Sequence, residues 1–392
     1  MIEGAHRIWA EIDLDALAEN MRIIKAHTNV NSKIMAIVKA DAYGHGIGNV
    51  AKTMIKNGAD AFGVACIDEA VQLRKAGFDQ MILILGAILP NEVEKAIKYD
   101  ITTTAFDYEY AEILSDTAVK MGKKASVHIK VDTGMHRIGV IADRDNAVEK
   151  ILEIAQLPGI EITGIFSHFA CADMAEDNLS HKQAELFMTI VKALEKKGLS
   201  IPCKHICNSA GTFKYPQYHM DMVRVGVVCY GIYPSKEISP CGLVPVMSLK
   251  TMVSRIETLK SGESVSYGAT YKAEGNIKCA TLMAGYADGY SRLLSDKVNV
   301  IINDRFVKII GRICMDQCMT DVTDVNNIAV GDVATLFGRA GDKEIPVEEL
   351  ADIMGTINYE LICMISKRVP RIYKMNGKCI DELNYITQLS KQ

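Results

Sequence analysis

The chain has 392 residues, of which 49% are hydrophobic and 23% charged, a composition of folded globular proteins that excludes disordered and collagen-like classes. Lys and Arg number 44 against 48 Asp and Glu, so the formal net charge is −4, and no basic stripe favours nucleic acid or anionic lipid. The length predicts two or three domains of roughly 150 residues each.

Two features of the sequence bear on location. The longest uncharged apolar stretch, residues 81–89, is about half as long as the ~20 residues that span a membrane, and residues 1–7 carry no secretory core. The eleven cysteines, an odd number in so long a chain, are typical of free thiols in a reducing compartment. We therefore expect a cytoplasmic protein without a membrane span.

Taken in chain order, the sequence begins with a strand at Ile8–Ile12 and a helix, after which apolar runs alternate with amphipathic segments. In residues 108–121, Ala111, Leu114, Ala118 and Met121 form one apolar stripe, and Asp68 is placed to cap an earlier helix. Eight such units predict a (β/α)8 barrel of the TIM type, with a doubly wound open sheet as the alternative. The predicted strands are 34–39, 60–66, 81–86, 101–106, 125–132, 160–168, 203–208 and 220–225.

After Pro245 the pattern changes to Val, Thr and Ile runs broken by Gly about every ten residues. This pattern predicts a mostly β domain with strands at 247–259, 278–284, 298–303, 306–313 and 333–337. One helix at about 346–366 interrupts it, and a strand at about 369–374 closes it. The first strand of the chain is expected to join this domain. The predicted fold class is therefore α/β + β, with a barrel at 13–244 followed by a β-rich domain made of 1–12 and 245–392.

Barrels of this type form their sites where the strands end, and the sequence places polar residues at five such ends. They are Lys39, then Lys130, Asp132 and Arg137, then His168, then Asn208 and Ser209, and finally Arg224 and Gly226. Cys203, His205 and Cys207 alternate as on one strand face but lack a fourth ligand, so no metal is expected.

The loops after the last two strands are where such barrels often bind phosphate. Ser209 and the Gly226–Val227 backbone would serve this purpose. A phosphorylated cofactor that also uses a lysine is pyridoxal 5'-phosphate, whose aldehyde condenses with the amine, here that of Lys39. The nearby Gly44-His-Gly46-Ile-Gly48 lacks the spacing of a dinucleotide loop and is interpreted as a flexible turn.

Nine strings in both predicted domains resemble the alanine racemase family, in the family's order. They are AIVKADAYGHG at 36–46, IKVDTGMHRIGV at 129–140, HICNSAGTF at 205–213, MVRVGV at 222–227, SYGATY at 266–271, GYADGY at 285–290, GRICMDQCM at 311–319, TINYE at 356–360 and RVPR at 368–371. His136 departs from the pattern, since some members have glycine there.

The resemblance implies a cofactor linked to Lys39, with Lys39 and Tyr267 as two bases on opposite faces of the substrate. It implies that Arg224 faces the cofactor ring nitrogen, that His205 orients Arg224, and that His168 lies against the cofactor. The cofactor-binding residues that it implies or that the strand ends supply are Lys39, Tyr43, His168, Asn208, Ser209, Arg224, Gly226, Val227 and Tyr359.

The resemblance also implies a substrate site and a partner. Arg137, Met315 and Asp316 would bind the substrate, Lys130 would be carbamylated and position Arg137, and Tyr286 with Tyr359 would narrow the entrance. Because Tyr267 and Lys39 lie in different domains, the family's head-to-tail homodimer would bring each tyrosine to the partner's lysine.

The function implied is racemisation of L- and D-alanine, with D-alanine supplied to peptidoglycan. A serine or broad-specificity racemase is the alternative within the fold, although Tyr359 favours alanine. A non-catalytic pyridoxal phosphate homeostasis protein and a barrel decarboxylase would also use the cofactor on such a barrel, but both fit the second domain poorly.

Overall fold

A computed structural model describes residues 6–144, 146–238 and 241–388. The described chain divides into two compact units. The barrel unit comprises Leu17–Ala42 and Ile47–Val244, and the β unit comprises the residues up to Ala16, the short segment Tyr43–Gly46, and the residues from Pro245 onward.

Apart from a two-residue strand, Val140–Ile141, that pairs parallel with Ala125–Asp132, the barrel unit contains eight parallel strands within its described residues. In chain order, and referred to below as the first to eighth barrel strands, they are Lys33–Ile37, Ala61–Val64, Met81–Ile84, Thr103–Ala105, Ala125–Asp132, Ile160–Phe166, Lys204–His205 and Met222–Val225. The eighth strand pairs with the first, and Leu83 bridges to Thr102 between the third and fourth. Asp221 N–H donates to Lys204 O at 3.1 Å between the seventh and eighth. The sheet therefore closes on itself, which confirms the barrel and excludes the open sheet.

Ala61–Val64 and Met81–Ile84 are apolar throughout because both faces of a closed parallel sheet are covered. Helices alternate with the strands, at Leu14–His27, Ile47–Lys56, Ile67–Lys75, Val93–Lys98, Tyr108–Lys120, Ala147–Ala155, Leu179–Lys196 and Ser209–Lys214. In the predicted stripe, Ala111, Leu114 and Ala118 are buried, as expected, whereas Met121 follows the last helical residue and is half-buried. The predicted cap at Asp68 is wrong: the helix begins at Ile67 after Cys66, and Asp68 forms a surface ion pair with Lys95.

The β unit is built around a ten-stranded sheet within the described residues. Its first strand, Ile8–Asp13, pairs antiparallel with Met247–Leu259 and parallel with Arg371–Met375, which confirms that the start of the chain lends a strand to this sheet. The remaining strands of the unit are Ser264–Val265, Tyr271–Lys272, Ile277–Leu282, Asn299–Ile302, Arg305–Ile310, Cys318–Asp321, Val333–Ala340, Lys343–Ile345 and Lys378–Leu383, and the helices are Val347–Met354, Asn358–Cys363 and Tyr385–Gln388.

The structure differs from the predicted β-rich elements in two respects. The single helix predicted at 346–366 is two helices, because Gly355 ends the first one with φ +73°. Five strands were not predicted, at Ser264–Val265, Tyr271–Lys272, Cys318–Asp321, Lys343–Ile345 and Lys378–Leu383. They are short or largely exposed, so they lack the apolar runs on which strand prediction depends.

The glycine-containing turn at 44–48 is held by specific contacts rather than flexible. Buried Arg371 donates from Nε to Gly44 O at 2.9 Å, and Tyr373 Oη donates to His45 O at 3.1 Å. A Cβ atom at Gly46 would lie 2.0 Å from Tyr373 Oη, so only glycine permits this approach. The prediction of a flexible turn is therefore wrong.

None of the described helices combines the length and the hydropathy that crossing a membrane requires.

Candidate functional site

Four cationic residues predicted at the barrel strand ends act electrostatically on one histidine, His168. The pKa of His168 lies well below its usual range, because the ring is buried and because positive charges surround it. These charges belong to Arg224, Arg137, Lys130 and Lys39. The four cations therefore lie near a single imidazole, as parallel strands ending at one edge of a barrel require.

Lys39 stands two residues beyond the first barrel strand, where the chain enters a left-handed turn. Ala40, Asp41 and Ala42 have φ values of 51°, 56° and 54°, and Tyr43 follows with 52°. For residues other than glycine this conformation costs about 1–2 kcal/mol each, so surrounding contacts must stabilise it. Ala42 N–H donates to Val38 O at 2.9 Å, and Ile47 N–H donates to Asp41 Oδ1 at 3.0 Å.

Arg224 is the centre of a buried hydrogen-bond network. Its Nη1 donates to His205 Nδ1 at 2.9 Å, and its Nη2 donates to His168 Nδ1 at 2.9 Å and to Ser167 O at 2.8 Å. His205 in turn contacts His128, with 2.9 Å between His205 Nε2 and His128 Nδ1. Burial lowers the pKa of Arg224 to about 10, which leaves the guanidinium charged near neutral pH.

The donors in this network fix the protons on its histidines. Arginine only donates, so His205 Nδ1 accepts. Burial, Arg224 and other nearby groups hold the pKa of His205 well below its usual range, so the ring is neutral and Nε2 carries its proton and donates to His128. Burial, together with Arg224, lowers the pKa of His128 to about 3. His128 is therefore neutral as well and accepts at Nδ1.

His128 was not identified from the sequence, although a signal was present. It shares one strand face with Lys130 and Asp132, two and four residues further along the fifth barrel strand. Its ring fits because residue 164 is glycine: a Cβ there would lie 2.5 Å from the imidazole. His128 Nε2 is buried, with no hydrogen-bond partner among the described residues.

Phe166 forms the apolar floor beneath these cations. Its ring stacks on His205 with 5.0 Å between ring centroids and 1° between planes. Lys130 Nζ lies 5.5 Å and Arg224 Cζ 5.3 Å from the Phe166 centroid.

The pKa of Lys130 is lowered to about 7, mainly by burial and then by the positive charges of Arg224 and Arg137. The negative charge of Asp132 opposes this shift. A large fraction of this amine is therefore neutral at physiological pH.

The loop that carries Arg137 is organised by Asp132. Its Oδ1 accepts the backbone N–H groups of Gly134, Met135 and His136 at 2.9 to 3.1 Å. Although burial opposes it, these hydrogen bonds lower the pKa of Asp132. His136 adopts φ 53°, a conformation in which glycine would be unstrained.

The two loops expected to bind phosphate lie together. Gly226 N–H donates to Ser209 Oγ at 2.8 Å, which links the ends of the seventh and eighth strands. Asn208 caps the helix Ser209–Lys214, since its Oδ1 accepts Gly211 N–H at 2.9 Å, and its Nδ2 donates to Phe169 O. Through these two hydrogen bonds the side chain of Asn208 shapes the first loop. In the second loop, Val227 begins a buried helical turn.

The remaining predicted site residues belong to the β unit. The rings of Tyr43 and Tyr359 are 6.2 Å apart. Tyr267 and Tyr286 lie on loops that adjoin the loop of Met315: Tyr286 N–H donates to Cys314 O at 3.0 Å, and Ser266 Oγ donates to Arg312 O. Tyr267 is 68%, Met315 51% and Tyr286 43% exposed. Asp316 pairs with Arg368 beside them.

The alternation of Cys203, His205 and Cys207 places two thiols and an imidazole in half-buried or buried positions. Burial raises the pKa of the Cys203 thiol to about 11 and that of Cys207 to about 12, so both stay protonated. His205 is engaged by Arg224 and His128. No group of three possible metal ligands occurs among the described residues.

Solved structures of known proteins share this architecture over both units. An alanine racemase of Clostridium difficile 630 superimposes with a TM-score of 0.94 at 38% identity, covering 98% of this chain and 100% of that one. An alanine racemase of Bacillus anthracis, solved with bound L-Ala-P, gives 0.91 at 36% identity, covering 98% and 99%. The barrel, its cationic strand ends and the β-rich unit thus define an amino-acid isomerase of the barrel type.

The particular family follows from sequence. The family models described as "Alanine racemase, N-terminal domain" and "Alanine racemase, C-terminal domain" match residues 12–234 and 246–373. An alanine racemase of Clostridium perfringens is 47% identical over 97% of this chain and 98% of its own length, and one of Methanococcus maripaludis is 44% identical over 94% and 99%. The chain belongs to the alanine racemase family, and the resemblance seen in its motifs is confirmed.

Proposed function

We propose that the protein interconverts L- and D-alanine with pyridoxal 5'-phosphate, using Lys39 and the Tyr267 of a partner subunit as its two bases. The observation that carries the proposal is the convergence of Lys39, Lys130, Arg137 and Arg224 around His168 at the barrel strand ends. A cluster in which four cations accompany the carboxylate of Asp132 suits an anionic cofactor and a substrate carboxylate.

The residues present fit the cofactor. When bound, pyridoxal 5'-phosphate supplies an aldehyde that condenses with an amine and a ring that withdraws electrons from the substrate α-carbon. Lys39 would hold the aldehyde end. Ser209 would offer its hydroxyl hydrogen and Val227 its backbone N–H to the phosphate, while the Gly226 N–H positions the Ser209 hydroxyl by donating to its oxygen. Tyr43 and Tyr359 are proposed as further phosphate ligands.

Two bases explain racemisation. A racemase removes a proton from one face of the α-carbon and returns one to the other face. The Lys39 amine would act on one face and the Tyr267 phenol on the other, in either direction. A single base would have to move around the substrate between the two steps.

Arg224 is proposed to face the cofactor ring nitrogen and to donate a hydrogen bond without giving up its proton. The support is its donation to His205 and to neutral His168, and a pKa that stays near 10 despite burial. By keeping this proton, Arg224 would leave the bound ring a weaker electron acceptor.

Arg137, Met315 and Asp316 are proposed to receive the substrate, with Tyr286 and Tyr359 narrowing the entrance. Lys130 is proposed to be carbamylated. Carbamylation needs a neutral amine, and the pKa of Lys130 near 7 provides one. The product is an anion, which would position Arg137 instead of repelling it.

A homodimer is proposed because the β unit leaves Tyr267, Met315 and Tyr286 exposed on adjoining loops. Exposed aromatic and methionine side chains grouped in this way are typical of an interface. A head-to-tail pair would bring these residues to the partner's Lys39. The proposed location is the cytoplasm, where D-alanine would be supplied for peptidoglycan.

One experiment tests the function directly. The purified protein is incubated with L-alanine, L-serine and L-lysine in deuterated water, and loss of optical rotation, α-proton exchange and carbon dioxide release are followed. We expect racemisation of alanine with α-deuterium incorporation and no carbon dioxide. Borohydride treatment followed by peptide mapping should label Lys39. Preference for serine, or labelling at another lysine, would contradict the proposal.

A further inference from the structure

The carboxylate of Glu69 joins the ends of two neighbouring barrel strands. Glu69 lies in the first turn of the helix Ile67–Lys75, directly after the second barrel strand. Its Oε1 accepts the backbone N–H of Ala40 at 2.6 Å, and its Oε2 accepts the backbone N–H of Ala65 at 2.8 Å. Ala65 follows the second strand, whereas Ala40 is the residue after Lys39.

The two hydrogen bonds have different purposes. An acidic residue at the third helical position commonly reaches back to a backbone N–H just before its own helix, and the bond to Ala65 is of this capping kind. Capping explains one oxygen only. The other oxygen bonds a residue 29 positions earlier in the chain, at the start of the left-handed turn.

That turn needs external support at both ends. Ala40, Asp41 and Ala42 are left-handed without being glycine. Asp41 and Ile47 secure the far end through the bond between Asp41 Oδ1 and the Ile47 N–H. Glu69 secures the near end. Because the Ala40 N–H belongs to the peptide plane that joins Lys39 to Ala40, the bond to Glu69 also restrains the orientation of the Lys39 backbone.

We propose that Glu69 is a positioning residue for Lys39, holding the left-handed turn in the form that aims the lysine amine at the reacting carbon. The inference rests on the proposed function of Lys39. Glu69 acts through the backbone, since its two carboxylate oxygens accept the N–H groups of Ala40 and Ala65. Holding both N–H groups requires both carboxylate oxygens of Glu69. The neutral amide of a glutamine at this position would offer only one oxygen for the two N–H groups.

The test compares Glu69→Gln with Asp68→Asn in the cofactor-loaded protein. Asp68 is the adjacent carboxylate on the same helix, and its partner is the surface Lys95. For Glu69→Gln we expect backbone hydrogen exchange in the peptide covering residues 38–46 to rise about tenfold. We also expect kcat to fall about tenfold with KM for alanine little changed, because a misplaced base slows the chemical step rather than binding. The pH titration of the cofactor absorption band should shift as well. Asp68→Asn should leave all of these measurements unchanged.

A rescue variant separates positioning from the charge of Glu69. Ala40 is exposed and has φ 51°, a conformation in which glycine is unstrained. Ala40→Gly added to Glu69→Gln lowers the cost of the turn, so kcat should recover at least in part while exchange of the residue 40 amide stays fast. Absence of recovery would mean that Glu69 acts by its charge, which would overturn the proposal.

Two further results would also overturn it. One is a Glu69→Gln protein with wild-type exchange in residues 38–46. The other is a protein that only melts at a lower temperature, with kcat and the cofactor titration unchanged, as a capping role alone would give. If Glu69→Gln does not fold, Glu69→Asp takes its place, since its shorter side chain cannot span both N–H groups. Failure of the proposed function is distinguished by the wild type, which would then lack cofactor on Lys39.

Discussion

Arg224 illustrates how one side chain sets the protonation of its neighbours. Arginine has no acceptor, so every partner of Arg224 must accept. His205 and His168 therefore each present an unprotonated nitrogen to Arg224. The proton of His205 then lies on Nε2, which donates to His128. Each ring is neutral because burial beside a cation opposes a second positive charge.

His128→Phe should destabilise the protein. The phenyl ring retains the shape but removes the acceptor, which leaves the buried His205 N–H unpaired at a cost of about 1–3 kcal/mol. We expect a lower melting temperature and altered imidazole nitrogen shifts of His205 in ¹⁵N NMR. His181→Phe is the control, since His181 is exposed and bonds only the Tyr218 hydroxyl among the described residues. Equal melting temperatures for the two variants would contradict the network.

Lys130 should form a carbamate whose amount depends on pH. Its pKa is lowered to about 7, so the amine is charged below that pH and becomes reactive above it. At a fixed pressure of ¹³C-labelled carbon dioxide, the carbamate signal in ¹³C NMR should grow as pH rises through about 7. The signal should be absent in Lys130→Met. A spectrum at pH 8 that is identical for the two proteins would rule out the modification.

At the scale of elements, loops beyond the strand ends are fixed by carboxylates. Asp132 holds the loop leading to Arg137 by accepting three backbone N–H groups, and Glu69 and Asp41 hold the turn after Lys39. A carboxylate has several acceptor positions and bonds N–H donors strongly, so it suits irregular backbone that has no strand partner.

Asp132→Ala should release the Arg137 loop. We expect KM for alanine to rise about tenfold, since Arg137 is proposed to bind the substrate carboxylate. Asp143→Ala, an exposed carboxylate further along the chain, should have no such effect. An unchanged KM would show that the loop is held by other contacts.

The same carboxylate makes the stability of the protein depend on pH. Because the pKa of Asp132 is lowered by folding, its stabilising contribution is present at neutral pH and is lost as pH falls through that lowered value.

At the scale of the whole molecule, the proposed bases lie in different units, and Tyr267 is largely exposed. A catalytic phenol in bulk water would lack the desolvated surroundings that favour proton transfer at carbon. A second subunit covering the loops of Tyr267, Tyr286 and Met315 would provide such surroundings.

Mixing two inactive variants tests this arrangement. Lys39→Ala and Tyr267→Phe should each be nearly inactive alone. After the subunits are allowed to exchange, mixed dimers should contain one wild-type site each, which restores about 25% of wild-type activity for random pairing. If Tyr267 served the Lys39 of its own chain, every site in the mixture would stay defective and no activity would return.

The sequence by itself determined much of the fold. Eight apolar runs alternating with amphipathic helices specified the barrel, since a closed parallel sheet buries both faces of every strand. The Val- and Thr-rich segments after Pro245 indicated the β unit, and the order of the motifs identified the family. These features are local or periodic, so they can be read without knowing which distant residues meet.

The tertiary structure decided which residues share an environment. The hydrogen bond from His205 to His128, the clamp of Arg371 and Tyr373 on residues 44–45, and the reach of Glu69 to Ala40 join positions 29 to 328 residues apart. The lowered pKa of Lys130 likewise arises from burial beside Arg224. Charge, burial and backbone strain depend on neighbours in space, and a linear pattern does not specify those neighbours.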